Sequence, residues 1–308
     1  MKAIRIYGSS GHATMSIDEV AVPKPATGEI LIRVHATAVT PGELEWYPTW
    51  HTPKGAPRVH AVPGHEFSGV VEQVGPNTAG FEEGDAVYGL NSWFSDGAAA
   101  EYCLTTPDEI AQKPATIDHV QAAVVPISGL TAWQALFDHG KLTSGQKVLI
   151  HGGAGGVGSF AIQLAAWKGA FVATTVSGAN NEFARSLGAN EVIDYQKTKF
   201  EEQVRDADLV LDLVGGDIFH RSFSAIKEGG KVVTVATSSE STDDPNVKAA
   251  FFIVEPNRQQ LTELAGLFAA GVLRPIVSEI VPMVTAAEAF LVSKKTAPGK
   301  VALRVLPE

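Results

Sequence analysis

From the amino terminus to about residue 115, apolar positions come in short alternating runs broken by glycine and proline, with little helical periodicity. Residues 1–7, 29–35, 69–75 and 85–89 read as strands, because positions two apart share one face of a pleated chain. Glycines 64, 69, 75, 80, 84 and 89 fall where a small, strongly bent β structure needs turns and close backbone approach.

From about 118 the rhythm changes. Asp118 with Gln121 three residues later has the form of a capping box, which predicts a helix running toward Phe137. Strands and helices then alternate: strand 147–151, helix 157–168, strand 171–176, helix 180–187, strand 191–194, strand 209–213, helix 217–226 and strand 231–235. Such alternation predicts an α/β fold whose doubly wound parallel sheet is covered by helices on both faces. A helix at 257–270, a strand at 276–281, a short helix at 285–293 and a strand at 300–305 follow. The alternating last strand matches the amino-terminal texture, so the first domain is expected to be discontinuous, 1–122 with 272–308, around a second at 123–271.

The most informative segment lies between the strands at 147–151 and 171–176. Gly153, Gly155 and Gly158 occupy the G-x-G-x-x-G positions, with Ala154, Gly156 and Val157 between them. The first glycine allows a tight turn, the second lets the backbone approach a phosphate, and the third lets the helix pack closely on its strand. A helix that starts there aims its free amides at a pyrophosphate. A Rossmann dinucleotide site is the reading, rather than a glycine-rich surface loop before a core helix.

Composition narrows the classes. At 45% hydrophobic and 19% charged residues over 308 positions, the chain reads as globular. A net charge of −10 without a basic stripe argues against nucleic acid as a partner. Cys103 is the single cysteine, so neither an internal disulfide nor a four-cysteine zinc lobe can form. It sits in a strand pattern and reads as a buried small hydrophobe. No apolar run suggests a membrane span, and residues 1–7 read as a strand rather than a signal peptide, which makes the cytoplasm the expected compartment.

With these residues in view, the chain resembles the medium-chain dehydrogenase/reductase superfamily, and within it the zinc-independent quinone oxidoreductases and related enone reductases. Pro63-Gly-His-Glu-Phe-Ser-Gly69 with Gly75 fits the superfamily's signature. Gly129-Leu-Thr-Ala132, the glycine loop, Phe183-Ala-Arg-Ser-Leu-Gly-Ala189, Val192-Ile-Asp-Tyr195, Asp212-Leu-Val-Gly-Gly216 and Gly229-Gly-Lys231 follow in order. The resemblance implies a GroES-like β-barrel catalytic domain beside the Rossmann domain. It also implies a homodimer formed by edge strands of the cofactor domain, for which 276–281 is the candidate.

In zinc-dependent relatives the histidine matching His65 is a metal ligand. The other two ligand positions fall here at Thr40 and at or near Val125, neither of which supplies a suitable donor. His35, His51 and His60 form no metal-binding spacing with a second donor. No metal is expected, and hydride transfer from a reduced nicotinamide to an electron-poor quinone or enone is the chemistry that remains.

NAD-selective folds place an acid at the end of the second strand, about twenty residues past the glycines. Here 175–181 holds none, which favours NADPH, with Ser177, Asn180 or Asn181 as hydrogen-bond donors to a 2′-phosphate and Arg185 as added charge. The resemblance assigns Tyr195 to the adenosine end and Thr131 to the nicotinamide, and 235–237, including Ala236 and Thr237, to backbone contacts. Phe252, in the run 251–254, should flank the cofactor.

On the acceptor side the family's Asn-Pro-x-Asp becomes Thr40-Pro41-Gly42-Glu43. Tyr47 is the expected proton donor with Thr40 as alternative, and Trp46 and Trp50 offer flat apolar walls. The leading function is an NADPH-dependent quinone reductase-like oxidoreductase. An enoyl or alkenal double-bond reductase and a non-enzymatic NADPH-binding sensor are the alternatives.

Overall fold

The computed structural model describes residues 1–40, 42–236, 243–291 and 297–306. Among the described residues seven strands precede residue 115: β1 (Lys2–Tyr7), β2 (Thr14–Glu19), β3 (Ile30–Ala38), β4 (Glu66–Val74), β5 (Ala86–Leu90), β6 (Tyr102–Thr105) and β7 (Ile110–Gln112). Five more follow in the middle: β8 (Lys147–His151), β9 (Phe171–Val176), β10 (Glu191–Asp194), β11 (Ala207–Asp212) and β12 (Ile226–Thr234). Strands β13 (Val277–Pro282) and β14 (Lys300–Arg304) come last. The chain divides into two compact units, residues 1–127 with 255–308, and residues 128–254.

In the first unit β1 and β2 pair antiparallel. The larger sheet runs β13-β14-β3-β4-β5-β7, with β6 also on β3. Residues two apart on β3 share a face, and the register shift between Val34 and Ala36 divides that face between two cores. Ile30, Ile32 and Val34 join Phe67, Val71, Val87, Cys103 and Ile110 in one core, while Ala36 and Ala38 meet Ala302 and the helix His119–Ala123. Register shifts between Leu31 and Ile32 and between Val34 and Ala36 mark bulges that bend the β3–β4 pair. Gly75 is required by close approach: a Cβ there would lie 2.1 Å from the Ala26 carbonyl oxygen. The capping box is present, with Asp118 accepting from the Gln121 amide and the Gln121 side chain accepting from the Asp118 amide.

Two assignments change. Helix Arg258–Ala269, expected in the central domain, belongs to the first unit. Its amphipathic face buries Leu261, Leu264 and Phe268, and the Tyr88 hydroxyl on β5 donates to the Leu261 carbonyl at 2.5 Å. The Arg258 guanidinium also lies 4.6 Å from the Phe81 ring centroid. Strand β13 lies in the segment assigned to the first domain and pairs in parallel with β14 in the first unit's sheet, so it is no edge of the cofactor sheet, as its candidacy for a dimer interface required. The central unit therefore starts at 128 and stops at 254.

The second unit is a five-stranded, fully parallel sheet in the order β10-β9-β8-β11-β12. The order reverses between β8 and β11, and the crevice outside such a switch point is where doubly wound sheets bind ligands. Leu149, Ala173, Val210, Val232 and Phe219 fill one core layer. Strand β12 starts earlier than its apolar run suggests, at Ile226, because a bulge opposite Asp208, with Gly229 at φ +76°, carries the polar segment Lys227-Glu228 through the strand.

The Tyr88→Phe variant removes a buried hydroxyl bond that ties the helix to β5. Its urea unfolding midpoint should fall by an amount equivalent to about 1 kcal/mol, with unchanged far-ultraviolet circular dichroism.

Candidate functional site

In the second unit, β8 ends at His151 and the chain turns through Gly152, at φ +77°, into helix Gly156–Trp167. Gly155 is the N-cap in an extended conformation and no side chain caps the helix, so its first amides are left for a ligand. A Cβ on Gly153 would lie 2.1 Å from Thr174 Oγ1, and one on Gly158 would lie 2.2 Å from the Gly152 carbonyl oxygen. A Cβ on Gly155 would meet only the Gly152 carbonyl, at 3.4 Å, leaving open space for backbone approach. Ala154, Gly156 and Val157 are half-buried on the same turn.

Beneath the turn lies a polar layer that sequence reasoning missed. His151 Nδ1 is 3.1 Å from Thr175 Oγ1, and its ring packs edge-on against Phe200 at 4.5 Å. Burial pushes the imidazole pKa down to about 4, against the opposing pull of the nearby Asp212 carboxylate. Asp212 Oδ1 accepts from the amides of Val214 and Gly215, both at 3.0 Å, and its Oδ2 accepts from Thr234 Oγ1 at 2.8 Å. Polar residues closing otherwise apolar strands were the available signal.

At the expected adenosine end, Asn180 Nδ2 donates to Ser177 Oγ at 2.9 Å. Asn181 opens helix Asn181–Ser186, and its Oδ1 is buried without a hydrogen-bond partner among the described residues. Tyr195 N donates to the Val176 carbonyl at 3.2 Å, which sets this exposed tyrosine beside Ser177 on the neighbouring strand end. Arg185 is exposed. The structure also brings in Asp194, which was not foreseen: a Cβ on Gly178 would lie 2.5 Å from Asp194 Oδ2. Lys197 Nζ, at 3.4 Å, offsets that charge. The β10–β9 register, Asp194 opposite Val176, creates this proximity.

Of the remaining expected contacts, Thr131 is buried in helix Pro126–Trp133. Ala236 is exposed just after β12, with its amide bonded to Thr234 Oγ1 at 3.1 Å. Thr237 and Pro41 lie outside the described residues. Phe252 is buried and stacks on His139 at 4.3 Å, and a parallel bridge from Thr234 to Phe251 lays this segment beside the end of β12.

The acceptor-side residues sit in the first unit. Glu43 is buried, and its Oε1 accepts from the Gly64 amide at 2.7 Å and meets His65 Nδ1 at 2.8 Å. Thr49 Oγ1 donates to the Glu43 carbonyl at 2.6 Å and Trp50 Nε1 donates to the Leu44 carbonyl at 2.7 Å, locking the loop. Trp93 packs edge-on to Trp46 at 5.1 Å and tilted over His65 at 5.3 Å. Tyr47 is half exposed and stacks on His51 at 4.2 Å.

Behind Thr40, Glu66 is fully buried. Its Oε2 accepts from the Ile127 amide at 2.9 Å and its Oε1 pairs with Lys300 Nζ. Burial pushes the Glu66 carboxyl pKa up, and Lys300 pulls it back down. Lys300 Nζ also donates to Thr40 Oγ1 at 3.1 Å.

The donors do not fit zinc. His65 Nε2 is buried and unpartnered, but Thr40 is bonded to an ammonium that would repel a second cation, and Val125 is buried and apolar. Among the described residues no three His, Cys, Asp or Glu side chains group as a metal site. Cys103 is buried and its thiol pKa is pushed up to about 12 by burial, so it is no thiolate at neutral pH.

Residues 26–118 match the family model described as the alcohol dehydrogenase GroES-like domain, and residues 187–303 match the zinc-binding dehydrogenase model. A probable zinc-binding mitochondrial oxidoreductase of Arthroderma benhamiae is 33% identical over 316 residues, covering 95% of this chain and 94% of that protein. The 2-methylene-furan-3-one reductase of Solanum lycopersicum is 33% identical over 300 residues, covering 94% of this chain and 74% of that protein. The quinone oxidoreductase of Coxiella burnetii superposes with a TM-score of 0.88 at 31% identity, covering 99% of both chains.

Two outcomes follow from the glycine turn and the layer under it. Gly158→Ala should push the turn open and weaken binding of a reduced nicotinamide nucleotide by roughly tenfold or more in a fluorescence titration, since its Cβ meets backbone. His151 should stay neutral in an NMR titration until about pH 4. The folded pKa lies below the ordinary 6.5, so the unfolded chain binds more protons between those values. The urea midpoint of this unit should therefore drop as pH falls from 6.5 toward 4, and a flat profile would contradict the assignment.

Proposed function

We propose that this chain, which belongs to the medium-chain dehydrogenase/reductase superfamily in its quinone oxidoreductase-like branch, reduces quinones or similar conjugated carbonyls with NADPH and without a metal ion. The observation that carries this reading is one combination: an uncapped glycine turn on a parallel sheet, and an acceptor-side donor set unsuited to zinc. The zinc-binding description of the family model concerns the family; the side chains of this chain support the metal-free route.

The bound nicotinamide supplies the hydride. The amides of the 153–158 turn hold the pyrophosphate. Ser177, Asn180, Asn181 and Tyr195 receive the adenosine ribose and its 2′-phosphate; β9 ends without an acid, and Lys197 offsets Asp194. Thr131, Ala236 and Phe252 serve the nicotinamide end. On the acceptor side the Thr40 hydroxyl binds the oxygen on which negative charge develops, and Tyr47 hands over the proton that completes the product. The protein works as a homodimer in the cytoplasm. Among the described residues no helix is long and apolar enough to cross a membrane.

A second reading, reduction of an enone or alkenal double bond, is favoured by Thr40 and Glu43 in place of the family's Asn and Asp and by the Solanum relative. Loss of nicotinamide absorbance across a panel of quinones, enones and alkenals distinguishes the two. Tight NADPH binding without turnover on any acceptor would instead identify a sensor. kcat/KM should favour NADPH over NADH, and the reverse preference would overturn the cofactor assignment. Tyr47→Phe should lower kcat by about tenfold or more. Elemental analysis after growth with added zinc should find zinc far below one atom per chain.

A further inference from the structure

Lys300 has no part in the chemistry above, yet its placement is tightly determined. β14 pairs antiparallel with β3 in a register that sets Ala302 against Ala38, so Lys300 and Thr40 face each other two positions further on. Gly299 makes this entry possible: its φ is +98°, and a Cβ there would lie 2.3 Å from the Ile276 carbonyl oxygen. The Lys300 amide bonds that same carbonyl at 3.0 Å. Lys300 is only 8% exposed, an unusual state for lysine that requires a charge partner, and buried Glu66 is that partner. The bond to Thr40 is additional to what charge balance needs.

A threonine hydroxyl has one hydrogen and two lone pairs. With a lone pair taken by the ammonium, the hydrogen is left to point elsewhere. A hydroxyl that accepts from a cation is polarised into a stronger donor. Thr40 is half-buried whereas Lys300 and Glu66 are enclosed, so the hydroxyl is the part of the chain open to a ligand.

We propose that Lys300 is a positioning residue that aims and strengthens the Thr40 hydroxyl as donor to the acceptor oxygen, supplying through one hydroxyl the electrostatic help that a metal ion gives by coordination. This rests on the reductase reading above. Hydride delivery forms the new bond at the acceptor and displaces its π pair onto oxygen, while the nicotinamide is oxidised by two electrons. Thr40 then holds the enolate or hydroquinone anion by hydrogen bond. No proton leaves Lys300; the proton that completes the product arrives from Tyr47 or solvent.

The test is a double-mutant cycle with Lys300→Met and Thr40→Val, read on the acceptor to which wild type responds best. Each single variant should lose about tenfold in kcat with the NADPH Kd unchanged, and the double variant should be no worse than either single. The loss should grow as acceptors become less electron-poor, a trend that a merely structural lysine would not produce. Lys300→Arg should recover part of the rate. Because Lys300→Met leaves Glu66 without its partner, Lys300→Met with Glu66→Gln provides a second, charge-balanced variant, checked by circular dichroism and Tm, and it should show the same loss. Wild-type rates in that folded variant, or losses that multiply in the Lys300/Thr40 double variant, would overturn the proposal. Wild type that turns over no acceptor would instead bring down the reductase reading on which it stands.

Discussion

Two carboxylates lie in the interior of the first unit, and the acceptor side is organised by the need to partner them. Glu43 is met by the Gly64 amide and the His65 ring. Glu66 is met by Lys300 and the Ile127 amide. An unpaired charge at such depth costs several kcal/mol, so each partner is held in place by its acid as much as the reverse. This mutual requirement fixes the loop after β3, the orientation of His65 and the reach of Lys300. The same ammonium that stabilises Glu66 makes the site hostile to a divalent cation.

The second unit solves a different problem by removing side chains. Gly153 and Gly158 leave no volume where a strand residue and the turn's own carbonyl already sit, while Gly155 leaves volume unfilled. The turn is thus tight toward the protein and open toward a ligand. At the neighbouring strand ends Asp212 accepts from two backbone amides and from the Thr234 hydroxyl, which ties the end of β11 to that of β12.

The strands at 147–151 and 171–176 were legible to the residue because continuous apolar runs end abruptly at glycine or polar positions. The glycine turn was legible because its constraint is local. The home of helix Arg258–Ala269 was not: periodicity reveals that a helix has an apolar face, not which core receives it. Asp194 and Lys300 escaped notice because their neighbours, Gly178 and Thr40, come from strand registers rather than from spacing along the chain. The loop sequence marks Thr40 as a donor, but the cation behind it lies 260 residues away. The loop sequence marks Tyr47 as a proton donor, but its half-exposed stacking on His51 follows from the fold and not from composition.

Strand β14 has a consequence for assembly. It lies between β13 and β3 in the sheet, so the interior of that sheet is completed by residues synthesised after the whole of the second unit. The second unit, continuous from 128 to 254, can fold as it emerges, whereas the first unit's sheet must wait for β14. Until then Glu66 has no counter-ion. Damage at β14 would therefore unsettle the interior of the first unit while leaving the continuous second unit's sheet intact.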